Sequence, residues 1–207
     1  NRLGPAAKRK RGAGMPKVGM EPIRKAALVK AAIAEVAEAG SLEVTMARVA
    51  RAAGMSAPLA HHYFGGKDAL FEAAMRAILA EYGAAVRAAL DGVRSPRERL
   101  DAVIGASFSA PNFAPEVIAA WLVFYVQARE RPAFRRLLRV YHARLRSNLL
   151  AGLRPLMGGE AEAAADMLGA MIDGQYLRAA LSARPATGAE AEAAVRAHLD
   201  LMLGAAR

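Results

Sequence analysis

Between Thr45 and Phe64 the chain sets two short apolar-faced segments about the tight turn Ala53-Gly54-Met55-Ser56. A helix-turn-helix needs a small residue such as Gly at its turn. It also needs small apolar residues where its helices cross, and Ala50 and Ala53 supply them. The second helix, opened by Ser56, would project its leading residues outward, where they can meet base edges in the major groove. Ala57, Pro58, His61 and His62 are the candidates for base-edge contact. Tyr63 can offer a hydroxyl to a phosphate, and Lys67 a charge beside it. Contacts of that kind hold a protein on DNA without reading its sequence. Thr45 and Ser56 are good N-caps, and the N–H groups beside a cap can also bind a phosphate. Plainer readings stand beside these. The turn could join two packed helices that never meet DNA. Tyr63 and Phe64 suit a core, and for Phe64 that is the better account. Lys67 could be a solvated lysine, although a cation at a helix start opposes the helix dipole. His61 and His62 do not read as metal ligands. Adjacent side chains point about 100° apart on a helix, and no HxxxH pattern or carboxylate partner follows. No metal or cofactor is expected.

A second group of residues is aromatic. Phe108, Phe113, Trp121, Phe124, Tyr125, Phe134, Tyr141 and Tyr176 all lie beyond the helix-turn-helix. Trp121, Phe124 and Tyr125 fall at helical spacing on one broad face. Asp173 and Tyr176 share one side of a later helix. Aromatic faces with a carboxylate nearby bind quaternary ammonium groups well. Ordinary core packing is the alternative for any one of these rings.

The elements that would carry both groups are helices throughout. Hydrophobic residues make up 55% of the 207, much of it alanine, and aromatics only 6%. Alanine is a strong helix former, so the chain reads as all-α. A first helix is expected over residues 22–39, with Pro22 in its first turn and Gly40 as its stop. Short helices follow over 45–53 and from Ser56 to about His62. A long one opens at Lys67 or Asp68 and runs to about Leu90. Amphipathic helices then continue over about 97–109, 114–130, 132–153, 160–183 and 189–205, with breaks at Pro and Gly positions. In the last two, Met167, Leu168, Met171, Ile172, Val195, Leu199 and Met202 lie on stripes that need either a partner or the protein's own body. Residues 1–19 form a basic arm rich in Gly, Pro, Lys and Arg, expected to be disordered. Met15 reads as a natural start, which makes residues 1–14 an extension.

Charge agrees with a polyanion partner. The net charge is +10, and residues 1–25 hold eight Lys and Arg against Glu21 alone. A cationic arm ahead of a neutral helical segment suits nucleic acid. A solvated tail, or attachment to a membrane surface, is the alternative. Cysteine is absent, which removes disulfides, thiolate metal sites and cysteine nucleophiles and fits a cytoplasmic protein. No run of about 18 apolar residues is long enough to span a bilayer. No HExxH, GxSxG or phosphate-binding loop is found, and Ser107, Ser109 and Asp173 form no triad pattern. The chain does not read as an enzyme.

Taken together, Thr45 to Phe64 with Ala53-Gly54-Met55-Ser56, His62-Tyr63-Phe64, and Lys67 ahead of an apolar helix resembles the TetR family of repressors. The resemblance implies a DNA-binding head over residues 20–66 and an effector-binding and dimerisation body over 67–207. From Met15 nearly to the C-terminus the chain also resembles the branch of that family that represses choline-to-glycine-betaine genes. The residues concerned are Met15-Pro16-Lys17-Val18-Gly19-Met20, Ser56, His62-Tyr63-Phe64, Ala120-Trp121-Leu122, Ser147-Asn148-Leu149, Ile172-Asp173-Gly174 and Leu177-Arg178-Ala179-Ala180-Leu181. What this implies is a homodimeric repressor of double-stranded operator DNA, released by choline or betaine aldehyde. It further implies an effector cage of Trp121, Tyr125, Tyr141, Asp173 and Tyr176, and a dimer joined through the last two helices. At positions 57 and 58 the family often carries a polar residue and Gly. Ala57 and Pro58 stand there in this chain, and the contact open to them is apolar, with thymine methyls. The same head would also serve a repressor of an efflux or other catabolic operon with a different lipophilic or cationic effector.

Overall fold

Alanine-rich amphipathic stretches, cut by Pro and Gly, fold into nine α-helices and no strand among the described residues, 19–205, of a computed structural model. The basic arm expected over 1–19 lies, Gly19 apart, outside the described residues. Helix α1 (Met20–Ala39) buries Leu28, Ala31, Ala32 and Val36 on one stripe and stops at Gly40, whose φ of 61° is left-handed. It starts two residues before the expected Pro22, which lies within its first turn where a missing N–H costs nothing. Helix α2 (Met46–Ala52) is capped by Thr45, whose hydroxyl accepts the Arg48 N–H at 3.2 Å. Helix α3 (Ala57–Phe64) is capped by Ser56, which accepts from Leu59 N–H at 3.4 Å.

The turn between α2 and α3 requires its glycine. Gly54 sits at φ 67°, which a side chain would resist. That conformation lets Met55 N–H reach back to the Ala50 carbonyl at 2.8 Å.

Helix α4 (Lys67–Ala89) carries the head onto the body. The body holds α5 (Pro96–Ser107), α6 (Pro115–Gln127), α7 (Pro132–Met157), α8 (Ala161–Leu181) and α9 (Gly188–Ala205). Each of α5, α6 and α7 opens with Pro at its first position, and α5 adds a reciprocal capping box between Ser95 and Glu98. Helix α7 runs past the expected end at residue 153, through Pro155 to Met157. Leu149, Leu150 and Leu153 anchor its last turns in the core, and the chain breaks at Gly158, where φ is 54°, at the Gly158-Gly159 break expected from sequence. One proline near the end of so long a helix costs a single N–H, which burial of those leucines offsets.

Helix α7 lies against both α5 and α8, while α1 lies against both α4 and α6. At the α5–α7 crossing, a Cβ on Gly152 would fall 2.7 Å from Leu100 Cγ and 2.9 Å from the Pro96 carbonyl. Only a glycine lets those helices approach so closely. On the last two helices, Leu168, Ile172, Val195 and Leu199 turn inward and are buried within the protomer. The large apolar groups left outside on α8 and α9 are Met167, Leu177, Leu181 and Leu201. No described helix is long and apolar enough to cross a membrane.

Candidate DNA interface and effector cavity

Helix α3 is held by one face and shows the other. Ala60 is fully buried, whereas Pro58, His61 and His62 are exposed and Ala57 and Tyr63 half-buried. The segment expected to meet DNA is therefore outside the hydrophobic interior, with Ser56 exposed at its capped end. Phe64 is partly buried and packs against the core, as its plainer reading had it.

The groups expected at phosphates have partners that fix their direction. Arg24, on α1, donates to the Tyr63 hydroxyl at 3.4 Å, which leaves the phenolic hydrogen free to point elsewhere. Lys67 donates one N–H to the Leu42 carbonyl at 3.4 Å. It thereby ties the loop between α1 and α2 to the start of α4, and its ammonium keeps further donors. Arg48 bridges Glu35 and Glu38 on α1 and braces the first helix of the pair against the head. Of these, Arg24 escaped the sequence reading. Its partner is 39 positions away, and no local spacing links the two. Among the described residues no three His, Asp or Glu side chains converge on a metal position.

In the body, the five residues expected at the effector come together. Trp121 and Tyr125 from α6, Tyr141 from α7, and Asp173 and Tyr176 from α8 line one cavity, whose wall Ile78, Tyr82 and Asn112 complete. The free space they bound is only ≈ 10 Å³. Trp121 is the hub, with ring centroids 5.0 Å from Tyr141, 5.4 Å from Tyr125 and 6.5 Å from Tyr176. A cation binds a ring face when within about 6 Å of its centroid. Rings this close already touch one another, so the cage is closed, and a cation that enters must part them. Phe124, which shares the broad face of Trp121 in sequence, instead packs on Phe134 at 5.6 Å in the core.

Polar groups are arranged around one carboxylate. The Tyr141 hydroxyl donates to Asp173 Oδ1 at 3.0 Å. His142 Nε2 lies 3.1 Å from Asp173 Oδ2, and its ring stacks on Tyr125 with planes 19° apart. The Tyr176 hydroxyl reaches the carbonyls of Ser107 and Asn112, and Tyr82 pairs with Ser107 Oγ at 3.3 Å. Burial first, and then the charge of Asp173, pushes the Tyr125 and Tyr141 phenols upward. Burial likewise raises Tyr82 and Tyr176. All four phenols therefore stay neutral, and Asp173 is the only carboxylate lining the cavity. Tyr82, Asn112 and His142 were not expected here. Tyr82 sits on the helix that leads out of the head, and only the fold brings it against the body.

An outward-facing capped helix on a small helical head, joined to a helical body with a closed aromatic cavity, defines a helix-turn-helix regulator. Residues 28–74 match the family described as bacterial regulatory proteins, tetR family. Residues 96–204 match the BetI-type transcriptional repressor, C-terminal family. The chain belongs to the TetR family of transcriptional repressors, in its BetI-type branch. It is 50% identical to the HTH-type transcriptional regulator BetI of Brucella anthropi, over 91% of this chain and 98% of that one. The BetI of Rhizobium meliloti is 49% identical over 89% of this chain and 94% of its own. Among solved structures, a transcriptional regulator from Pseudomonas aeruginosa PAO1 is 29% identical, with TM-score 0.76 over 88% of this chain and 91% of that one. A regulator from Saccharomonospora viridis, solved in complex with choline, shares the fold at 18% identity, with TM-score 0.75 over 86% and 96%.

Proposed function

We propose that this repressor controls the genes that make glycine betaine from choline, and that choline or betaine aldehyde releases it from its operator in the cytoplasm. The observation that carries the reading is the convergence of Trp121, Tyr125, Tyr141, Asp173 and Tyr176, from three helices, on one cavity. Four aromatic faces and one carboxylate match a small quaternary ammonium. Each well-placed face is worth about 0.5–2 kcal/mol to such a cation. The choline found in the Saccharomonospora viridis regulator, a protein of the same fold, is consistent with this.

On DNA, Ala57, Pro58, His61 and His62 meet base edges. Tyr63, Lys67 and the N–H groups beside the caps Thr45 and Ser56 hold phosphates. Two such heads are joined by dimerisation through Met167, Leu177, Leu181 and Leu201 on α8 and α9, apolar groups that stand exposed in the protomer. A two-fold dimer sets its recognition helices about one DNA turn apart. Release follows from the closed cage. Effector entry parts Trp121 and Tyr125 on α6, and α6 packs directly on α1 of the head. A ligand that binds the parted state better shifts the population toward it.

Titration of the protein with choline tests the effector, using Trp121, the single tryptophan, as reporter. Its fluorescence should change saturably, and Asp173→Asn should weaken binding by at least about tenfold by removing the counter-charge. No change with choline or betaine aldehyde, but a saturable one with a larger lipophilic cation, would move the protein to an efflux operon.

A further inference from the structure

The carboxylate of the cage has two faces, and they are held by different groups. Oδ1 takes the hydroxyl of buried Tyr141 at 3.0 Å. Oδ2 takes His142 Nε2 at 3.1 Å. The His142 side chain is 46% exposed, so its other nitrogen can exchange a proton with solvent. Its ring lies parallel to Tyr125 and tilted against Tyr141, 5.1 Å away. His142 is thus the outer wall of the cage and the group that meets Asp173 from outside it.

We infer that His142 governs the charge of Asp173 toward a cationic effector: the protonated imidazole stands in for the ligand, and effector binding expels its Nδ1 proton to solvent. This rests on the effector reading above. A neutral imidazole donating Nε2–H leaves Asp173 with its full negative charge, hydrogen-bonded and directed at the cage. An imidazolium brings the pair to net zero and puts its positive charge a few ångströms from where the ammonium must sit. At short range and away from bulk water that repulsion is substantial. Histidine is the side chain whose charge ordinarily changes between about pH 5 and 8.

The other charged groups facing His142 do not take its place. On its own helix, Arg146 lies one turn on and is committed to Glu162 and Asp166 of α8. Asp166 borders the same outer cleft between α7 and α8, and Arg146 occupies it at 2.6 Å. From α6 the facing group is Tyr125, a neutral phenol. Asp173 is therefore the one carboxylate His142 pairs with, and the coupling runs through that contact. By linkage, a proton on His142 and a cation in the cage weaken each other equally.

Choline titrated into the full chain from about pH 5.5 to about 8.5, read by Trp121 fluorescence and by calorimetry in two buffers of different ionisation heat, tests this. The wild type should lose affinity toward acid, by at most about tenfold per pH unit for one competing proton. It should also release protons on binding at the acid end. His142→Gln keeps a neutral donor to Asp173 and should bind choline at an almost constant affinity. Between about pH 8.5 and about pH 5.5 the wild-type affinity should fall about tenfold relative to that of the variant. An unchanged pH slope in His142→Gln overturns the inference while leaving choline as effector. So does a wild-type affinity that does not vary with pH. No choline binding at any pH removes both. Only four histidines are present, so NMR of the wild-type imidazoles gives a readout that needs no variant. At the acid end of the range the His142 signal must move toward its neutral position when choline binds, and one that stays put there contradicts the proposal.

Discussion

In the proposed DNA interface, single side chains of the head divide into those that grip and those that read. Tyr63 is aimed by Arg24 rather than buried, so Tyr63→Phe should remove one phosphate hydrogen bond. The expected loss is about 0.5–1.5 kcal/mol of DNA affinity, alike on cognate and unrelated duplexes. His61 is exposed on the recognition face, so His61→Ala should relax the preference at one base position by about 1–3 kcal/mol and leave non-specific binding unchanged. Competition binding against a panel of single-base operator variants separates the two. Equal losses across the whole panel from His61→Ala would refute its role. The exposed placement of His61 and the cap at Ser56 were readable from sequence because helix face, cap and turn are local. Arg24 and His142 were not, because each acquires its role from a partner 39 or 31 positions away, and sequence spacing carries no trace of such pairings.

Among the helices, caps and glycines decide where each segment begins and how closely it packs. Ser56 closes the N-terminus of an eight-residue helix that is too short to persist on its own propensity. Ser56→Ala should cost about 0.5–2 kcal/mol of stability, read by thermal unfolding, and should weaken operator binding further by fraying the end proposed to meet DNA. Gly152 is a tighter constraint. Its missing Cβ is the space that Leu100 and the Pro96 carbonyl occupy, and Gly152→Ala should destabilise the body by about 1–3 kcal/mol. A melting temperature equal to wild type would show that α5 and α7 separate more easily than their packing implies. Helix starts and stops were largely legible, since Pro opens α5, α6 and α7 and Gly40 and Gly54 close turns. The end of α7 was not. The pattern reads as ending at residue 153, yet the buried leucines there hold the helix through Pro155 to Met157. The inward or outward sense of the α8 and α9 stripes was also hidden. Periodicity reveals a stripe, but only the fold turns Leu168 and Val195 into the core and leaves Leu177 and Leu201 outside.

For the molecule as a whole, head and body meet through α1 against α6 as well as through α4, so the cavity wall and the DNA-binding unit share a contact. If dimerisation through α8 and α9 sets the reach of the two recognition helices, Leu177→Glu with Leu201→Glu should yield monomers by sedimentation. Those monomers should bind choline at Trp121 but not protect an operator. Dimers that persist in the double variant would place the interface elsewhere. The most direct measurement is footprinting on DNA upstream of the protein's own gene, with and without saturating choline. Binding should protect a palindromic site whose two halves lie about one helical turn apart, and choline should abolish that protection in the wild type but not in Asp173→Asn. Protection that survives saturating choline, or that spreads over DNA without a palindromic centre, would contradict it.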